Sequence, residues 1–386
     1  MVNSIVLPKI MQIGAGALKM LSETVSSLGC GFPFIITDQT MVNLGYVAKV
    51  ERLLNQQNIK FGLFADTMPE PNDTSIIAAV EMLKSKQYDC LIALGGGSAI
   101  DSAKAIALLA SHGGKMSDYK VPYQVTEISI PVIAIPTTAG TGSETTQVTV
   151  ISDSATDEKM LCMGTGLIPA AAIIDYELTL SLPSRIAADT GIDALTHAIE
   201  AYVSRKANLF SDQQAIAAMK LIAPNLKKAC LEPNNRVAKE AMMLGATLAG
   251  MAFSNASVGL VHGMSRPLGV HFHVPHGMSN AMLLPTITEY SIPGAPLKYA
   301  ECAFHMELVT DLKDVTLAHK ILIKELQQIN QILKVPTLAD FGVAESEYLG
   351  LLENMAKQAL ASGSPSNNPQ IPSLAEIIDL YKKVWQ

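Results

Sequence analysis

Between Gly31 and Pro136 short apolar runs alternate with segments of helical periodicity, and beyond Leu182-Pro183-Ser184 runs of strand length almost vanish. That switch leaves few architectures open, because strand–helix alternation predicts an α/β domain around a largely parallel sheet. Strands are expected over 31–38, 60–65, 89–94 and 128–135, with helices over 41–57, 75–85 and 99–110. After the switch, Ala/Leu/Met-rich segments with helical spacing dominate, over 184–205, 211–230, 236–255, 312–333, 344–361 and 373–385. Pro183 is a stop and Ser184 an N-cap, which sets the boundary between an α/β domain over 1–182 and an all-helical domain over 183–386. There is no internal repeat, and 362–372 reads as a surface loop.

Size and charge exclude several classes. A chain of 386 residues is long enough for two domains and a sizeable core. With 49% apolar and 16% charged residues, much surface is expected to be buried, and a homodimer or larger homo-oligomer would fit that composition. The net charge of −7 argues against a nucleic-acid partner, for which a basic stripe is expected. No apolar run is long enough to cross a bilayer. Residues 1–13 contain Pro8 and Lys9, lack a signal peptide's apolar stretch and read as a first strand. The five cysteines (Cys30, Cys90, Cys162, Cys230, Cys302) are scattered and never spaced as Cys-x-x-Cys, which favours reduced thiols in a cytoplasmic protein.

Three loops of the α/β half suit a nucleotide. Gly95-Gly96-Gly97-Ser98 follows a strand and opens a helix, so the backbone can approach a pyrophosphate at a positive helix end. It is not the usual dinucleotide fingerprint, since the third glycine position falls on Ile100; a tight structural turn is an equally good account of this loop alone. Thr137-Thr138-Ala139-Gly140-Thr141-Gly142-Ser143 ends another strand with hydroxyls and backbone donors. Asp38 ends a third, where an acid commonly binds a ribose 2′-hydroxyl and repels the 2′-phosphate of NADP.

In the helical half, Asp193 and His197 stand one turn apart in Gly191-Ile192-Asp193-Ala194-Leu195-Thr196-His197-Ala198. Positions i and i+4 share a helix face, so both side chains can reach one ion. A carboxylate oxygen with imidazole nitrogens suits Fe²⁺ or Zn²⁺. The structural alternative is a surface Asp193 and a satisfied core His197. The stretch from His262 to His276 then concentrates four of the chain's eight histidines, which favours a metal. Spacing alone leaves open which of them bind, since His271, His273 and His276 compete.

Taken together, the motifs resemble the iron-containing (group III) alcohol dehydrogenases, a family that includes lactaldehyde reductases and propanediol dehydrogenases. The matching segments are Gly95-Gly96-Gly97-Ser98 with Asp101, Ala103 and Lys104, then Pro136 to Glu144, and Asp193-Ala194-Leu195-Thr196-His197-Ala198 with Glu200. Asn255-Ala256-Ser257 with Gly259 to Met264, and Pro275-His276-Gly277, complete the order. The resemblance implies a dehydroquinate synthase-like fold and a metal-dependent, NAD(H)-linked oxidoreductase that interconverts a small primary alcohol and its aldehyde. By position it implies Asp193, His197, His262 and His276 as ligands of Fe²⁺, with Zn²⁺ possible. Gly96, Gly97 and Ser98 would hold the pyrophosphate and Asp38 the adenosine ribose, with Thr137, Thr138, Thr141, Lys159, Asn72 and Asp101 as further NAD contacts. Val148 and Phe253 would line the substrate pocket. Glu200 reads as a helix-packing residue, with a place behind the ligands as the alternative.

One departure concerns the substrate. Many members carry a histidine four residues after the third ligand, where this chain has Arg266. A guanidinium cannot exchange protons near neutral pH, so a relay would run through water, His271 or His273, and Arg266 could bind a substrate anion instead. Pairing with a structural acid or the cofactor is the alternative. Two other readings of the whole chain are a non-redox lyase of the dehydroquinate synthase type and a binding protein without catalysis.

Overall fold

The computed structural model describes residues 2–156 and 158–385. The chain divides into two compact units, Ile5–Leu182 and Pro183–Gln386 together with Met1–Ser4.

The first unit contains strands β1 (Ile10–Ile13), β2 (Pro33–Ile36), β3 (Gly62–Phe64), β4 (Cys90–Gly95), β5 (Val132–Pro136), β6 (Val148–Ser152), β7 (Lys159–Met163) and β8 (Ala171–Ile174). Its helices are α1 (Leu21–Ser27), α2 (Gln39–Asn43), α3 (Tyr46–Gln56), α4 (Asp73–Ser85) and α5 (Gly97–His112). Six strands pair in parallel in the order β1-β8-β5-β4-β2-β3. A parallel sheet is covered on both faces, so its strands are apolar throughout rather than alternating; β2, β4 and β5 are buried at every position. Successive side chains nevertheless enter different cores. Phe34, Ile36, Leu91 and Ala93 pack with Ile76, Leu83 and Ile106 from α4 and α5. Ile35, Ile92, Leu94 and Ile133 pack with Leu21, Val25, Val50 and Leu54 from α1 and α3.

This topology positions the ligand loops. Strand β3 is added outside β2, but β4 returns to the other side of β2, so strand order reverses between β2 and β4. A crevice opens at the carboxyl ends of strands at such a reversal, and Asp38 and Gly96 follow those two strands.

Several expected elements differ. The strand expected over 1–13 is confined to Ile10–Ile13; Pro8 has no N–H to give a ladder, and Met1 lies outside the described residues. The helix expected over 41–57 is two, separated at Gly45, whose φ of 74° interrupts the helical backbone. The β6–β7 pair, antiparallel with Val148 opposite Met163, was not anticipated, nor was β8. All five cysteines are free thiols.

The second unit contains α6 (Ser184–Val203), α7 (Leu209–Leu231), α8 (Arg236–Ser254), α9 (Leu260–Phe272) and α10 (His276–Ser291). It continues with α11 (Pro296–His305), α12 (Val315–Ile332), α13 (Leu338–Phe341), α14 (Glu345–Ala361) and α15 (Leu374–Trp385). No strand occurs in it among the described residues. Pro183 itself takes the N-cap position and Ser184 is the first helical residue. Helix α6 is buried without interruption from Gly191 to Val203 and packs against α7, α8 and α10. Such all-round burial marks a core helix, and it removes the reading of Asp193 as a surface residue. No helix among the described residues is long and apolar enough to cross a membrane.

Candidate active site

Three helices of the second unit meet at one place: α6 and α10 each bring an i, i+4 pair, Asp193 with His197 and His276 with Asn280, and α9 brings His262. Asp193 Oδ1 lies 3.4 Å from His262 Nε2, 3.8 Å from His276 Nε2 and 3.9 Å from His197 Nε2. Ligand atoms bonded at about 2.1 Å to one tetrahedral ion stand about 3.4 Å apart, so the spacing fits a single divalent cation. Candidate ligand atoms of Asp193, His262 and His276 all fall within 4.8 Å of one another. His197 approaches the same carboxylate, its ring stacked between those of His262 (4.4 Å) and Phe253 (4.2 Å). The chain thereby brings all four expected ligands together, with Phe253 against one of them. His276, with a side chain 42% exposed, lies on the accessible side, whereas Asp193 is 3% exposed.

The field at the cluster favours a cation. Burial disfavours charge on Asp193, but His197 first, then His262 and His276, hold its carboxyl well below the usual carboxylate range. Burial likewise opposes charge on His262, and the carboxylates of Glu200 and Asp193 outweigh it, raising this imidazole to about 9. Groups that draw a proton to this site draw a metal ion to it as well.

Glu200, expected to serve packing, does something more specific. His262 Nδ1 donates to Glu200 Oε2 at 2.6 Å, and the N–H of Val261 donates to Oε1 at 2.7 Å. This fixes the ring so that Nε2 faces Asp193, the role a carboxylate commonly plays behind a ligating histidine. Gly277 has a packing reason: a Cβ there would stand 2.5 Å from the carbonyl oxygen of Asp189, so only glycine lets the start of α10 reach α6.

The competing histidines separate. His273 occupies the left-handed cap of α9 (φ 54°), and His271 Nε2 pairs with Gln358 Oε1 at 2.8 Å. His271 thus serves the contact of α9 with α14, and His273 ends α9 through its backbone. Arg266 Nη1 donates to Ser364 Oγ at 3.1 Å, and Glu200 is the acid that acts on its charge. Asn280, which the sequence reading missed, places Nδ2 at 2.6 Å from Asp193 Oδ1. Its signal was available, four residues after His276 at the start of a helix.

In the first unit, Gly95 pairs with Pro136 across β4 and β5, so the glycine and threonine loops leave the sheet side by side. A Cβ on Gly97 would stand 2.9 Å from Thr141 Cγ2, and one on Gly96 3.3 Å from Thr138 Cγ2. The glycines therefore admit the second loop as well as presenting the N-terminus of α5. Asp38 caps α2 by accepting the Met41 N–H on Oδ1 at 3.0 Å, while Oδ2 stays near Gly95. Thr137 is buried, and its N–H donates to the Gly95 carbonyl at 3.0 Å.

Other expected nucleotide contacts are engaged internally. Asp101 accepts from Ser143 Oγ at 2.6 Å and from the Val150 N–H at 3.0 Å. Asn72 Oδ1 accepts the Ser75 N–H at 2.8 Å as the cap of α4. Ser98 Oγ donates to the Pro69 carbonyl, and Lys159 pairs with Glu70 at 3.3 Å. Beneath them Lys104 Nζ donates to the carbonyls of Ser143 (2.8 Å), Thr146 (2.9 Å) and Val148 (2.8 Å). Asp101 thus ties the loop after β5 to β6, and Asn72 fixes the start of α4.

Comparison with known proteins gives a consistent answer. Residues 8–176 match the family described as iron-containing alcohol dehydrogenase, and residues 187–385 match the C-terminal part of the Fe-containing alcohol dehydrogenase family. An NAD-dependent methanol dehydrogenase of Bacillus methanolicus is 34% identical over 97% of this chain and 98% of its own. The crystal structure of a 1,3-propanediol oxidoreductase superposes with a TM-score of 0.95 at 32% identity, covering 100% of both chains. A sulfoacetaldehyde reductase from Bifidobacterium kashiwanohense, solved in complex with NAD⁺, superposes with a TM-score of 0.87 at 26% identity, covering 100% of this chain and 99% of its own.

Proposed function

The chain belongs to the iron-containing alcohol dehydrogenase family, and from that premise we propose how its own residues carry the chemistry. It has the dehydroquinate synthase-like fold of that family. It is an oxidoreductase acting between alcohols and aldehydes; its relatives are alcohol dehydrogenases, which sets the lyase reading aside.

The single observation that carries the site is the convergence of Asp193, His262 and His276 within 4.8 Å. With His197 they would hold Fe²⁺, Zn²⁺ being the alternative for the same donors. When bound, the metal supplies Lewis-acid polarisation of the substrate oxygen and NAD supplies the hydride acceptor or donor. Asp193 contributes the charge that a neutral imidazole set lacks, and Glu200 holds Nδ1–H of His262 so that Nε2 stays available. The N-terminus of α5 and the backbone at Gly96 and Gly97 would take the pyrophosphate. Asp38 would accept from a ribose hydroxyl through Oδ2 and reject a 2′-phosphate, selecting NAD over NADP. Thr138 and Thr141, at the adjacent strand end, would add hydroxyl donors. Phe253, stacked on His197, would bound the substrate. On this reading 1–182 is the NAD-binding domain and 183–386 the metal-binding, catalytic one.

The substrate is a small aldehyde or primary alcohol, and Arg266 favours an anionic one. Its guanidinium has five donors, of which one meets Ser364, and it forms no ion pair among the described residues. A relative reducing sulfoacetaldehyde supports the same reading. Five free thiols support a cytoplasmic location, and the 49% apolar composition supports a homo-oligomer.

An NADH-linked screen of C2–C5 aldehydes, neutral and anionic, on Fe²⁺-loaded protein tests both levels. Chelation should abolish turnover, and Fe²⁺ or Zn²⁺ should restore it; full activity after verified metal removal would overturn the site. Arg266→His should lose activity mainly on anionic aldehydes, and equal losses on both classes would sink anion recognition alone.

A further inference from the structure

We propose that Asn280 is a positioning residue of the metal site, whose carboxamide holds the ligand atoms at the separation one ion requires. The inference rests on the metal reading above and adds a residue to it. Asn280 is fully buried, one turn after His276 on α10. Its Nδ2 lies 2.6 Å from Asp193 Oδ1, 3.2 Å from His262 Nε2 and 3.2 Å from His276 Nε2. A single amide nitrogen therefore touches ligand atoms from each of the three helices that build the cluster.

The chemistry of the contact identifies the amide's orientation. An ionised carboxylate is acceptor-only, and two oxygens with no proton between them repel at 2.6 Å, so the atom facing Asp193 has to be the NH₂ group. A neutral double donor satisfies a buried carboxylate oxygen without adding a charge that would compete with the cation. An Asp at this position would set a second carboxylate against the first, and a Leu would leave the acceptor unpaired.

The other end of the side chain shows what anchors it. Asn280 Oδ1 is buried and has no hydrogen-bond partner, a rare state for a polar atom in a protein interior. Every hydrogen bond of the side chain runs toward the ligand cluster. A residue kept only for packing would not be tied to the cluster alone, and an apolar residue would fill its space without an unsatisfied oxygen. The residue's polar function is thus directed at Asp193 and the two imidazoles.

The test compares wild type with Asn280→Ala and Asn280→Ser. Affinity for Zn²⁺ is measured by competition with a chromophoric chelator, the visible spectrum after Co²⁺ substitution reports coordination geometry, and the melting temperature without metal reports folding. Asn280→Ala should bind Zn²⁺ about 10–100-fold more weakly, with a shifted Co²⁺ spectrum and a cooperative melt retained. Unchanged affinity and spectrum, with or without a lower melting temperature, would leave only a structural role and overturn the proposal. Tighter binding would overturn it too, because the amide would then be competing with the ion. If Asn280→Ala does not fold, Asn280→Ser is read by the same criteria. A wild type that takes up no ion overturns the metal reading and this inference together, whereas binding by wild type that Asn280→Ala matches overturns this inference alone.

Discussion

At the scale of single residues, the acid–histidine pairs divide into proposed ligands and the groups that aim them. Asp193 and His197 come together because four residues of helix bring them to one face. Glu200 lies one more turn on, and its 2.6 Å contact with His262 Nδ1 spans 62 positions in sequence. Periodicity along α6 could not show that contact, which is why the residue read as packing. Removing its carboxylate frees the His262 ring and leaves Nδ1 unpaired in a buried place. Glu200→Ala is accordingly expected to weaken metal affinity about 10–100-fold, and Glu200→Gln, which still accepts through its amide oxygen, by less. Chelator competition on the two variants checks this, and wild-type affinity in both would return Glu200 to a packing role.

At the scale of elements, α5 is held by the loop it faces. Lys104 sits 2% exposed in that helix, and its ammonium donates to backbone carbonyls between Ser143 and Val148. The loop after β5 and the start of β6 are thereby fixed against the helix whose first turn would receive the pyrophosphate. Lys104→Met leaves those carbonyls unpaired, and hydrogen bonds to a charged donor carry about 1.5–3 kcal/mol, so a loss of about 3 kcal/mol in unfolding free energy is expected. The pH dependence has a definite sign. Burial lowers Lys104 to about 8, against the pull of Asp101 and Glu144, whereas an unfolded lysine titrates near ~10.4. Between those values the unfolded chain holds the extra proton, so this group's contribution to stability rises with pH across the window. Denaturant titrations should show the gap between wild type and Lys104→Met widening from pH 8 to pH 10; a constant gap would mean that Lys104 titrates alike in both states.

At the scale of the molecule, the expected metal ligands all lie in Pro183–Gln386 and the expected nucleotide loops all lie in Ile5–Leu182. A ligand bound only by the native state stabilises by about 2.7 kcal/mol at one hundred times its Kd, and local protection follows the elements it ties together. Hydrogen exchange should therefore slow in α6, α9 and α10 when Zn²⁺ is added, and in the loops after β2, β4 and β5 when NAD is added. The reverse pattern would overturn the assignment of the two ligands. Much of this plan was legible in the chain itself. Buried parallel strands read as unbroken apolar runs and core helices as long periodic ones, and a helical i, i+4 spacing is geometry that sequence carries locally. The sequence by itself therefore determined an α/β half followed by a helical half, the turn at Gly95-Gly96-Gly97-Ser98, and the pairing of Asp193 with His197. Only the tertiary structure decided that His276, rather than His271 or His273, joins His262, that Glu200 stands behind His262, and that Asn280 meets Asp193. It also showed Asp101 accepting from Ser143 and Val150, and Asn72 capping α4. Apart from that local cap, each of these depends on contacts between elements far apart in the chain, such as the close approach of Gly277 to α6, and no local period encodes such an approach.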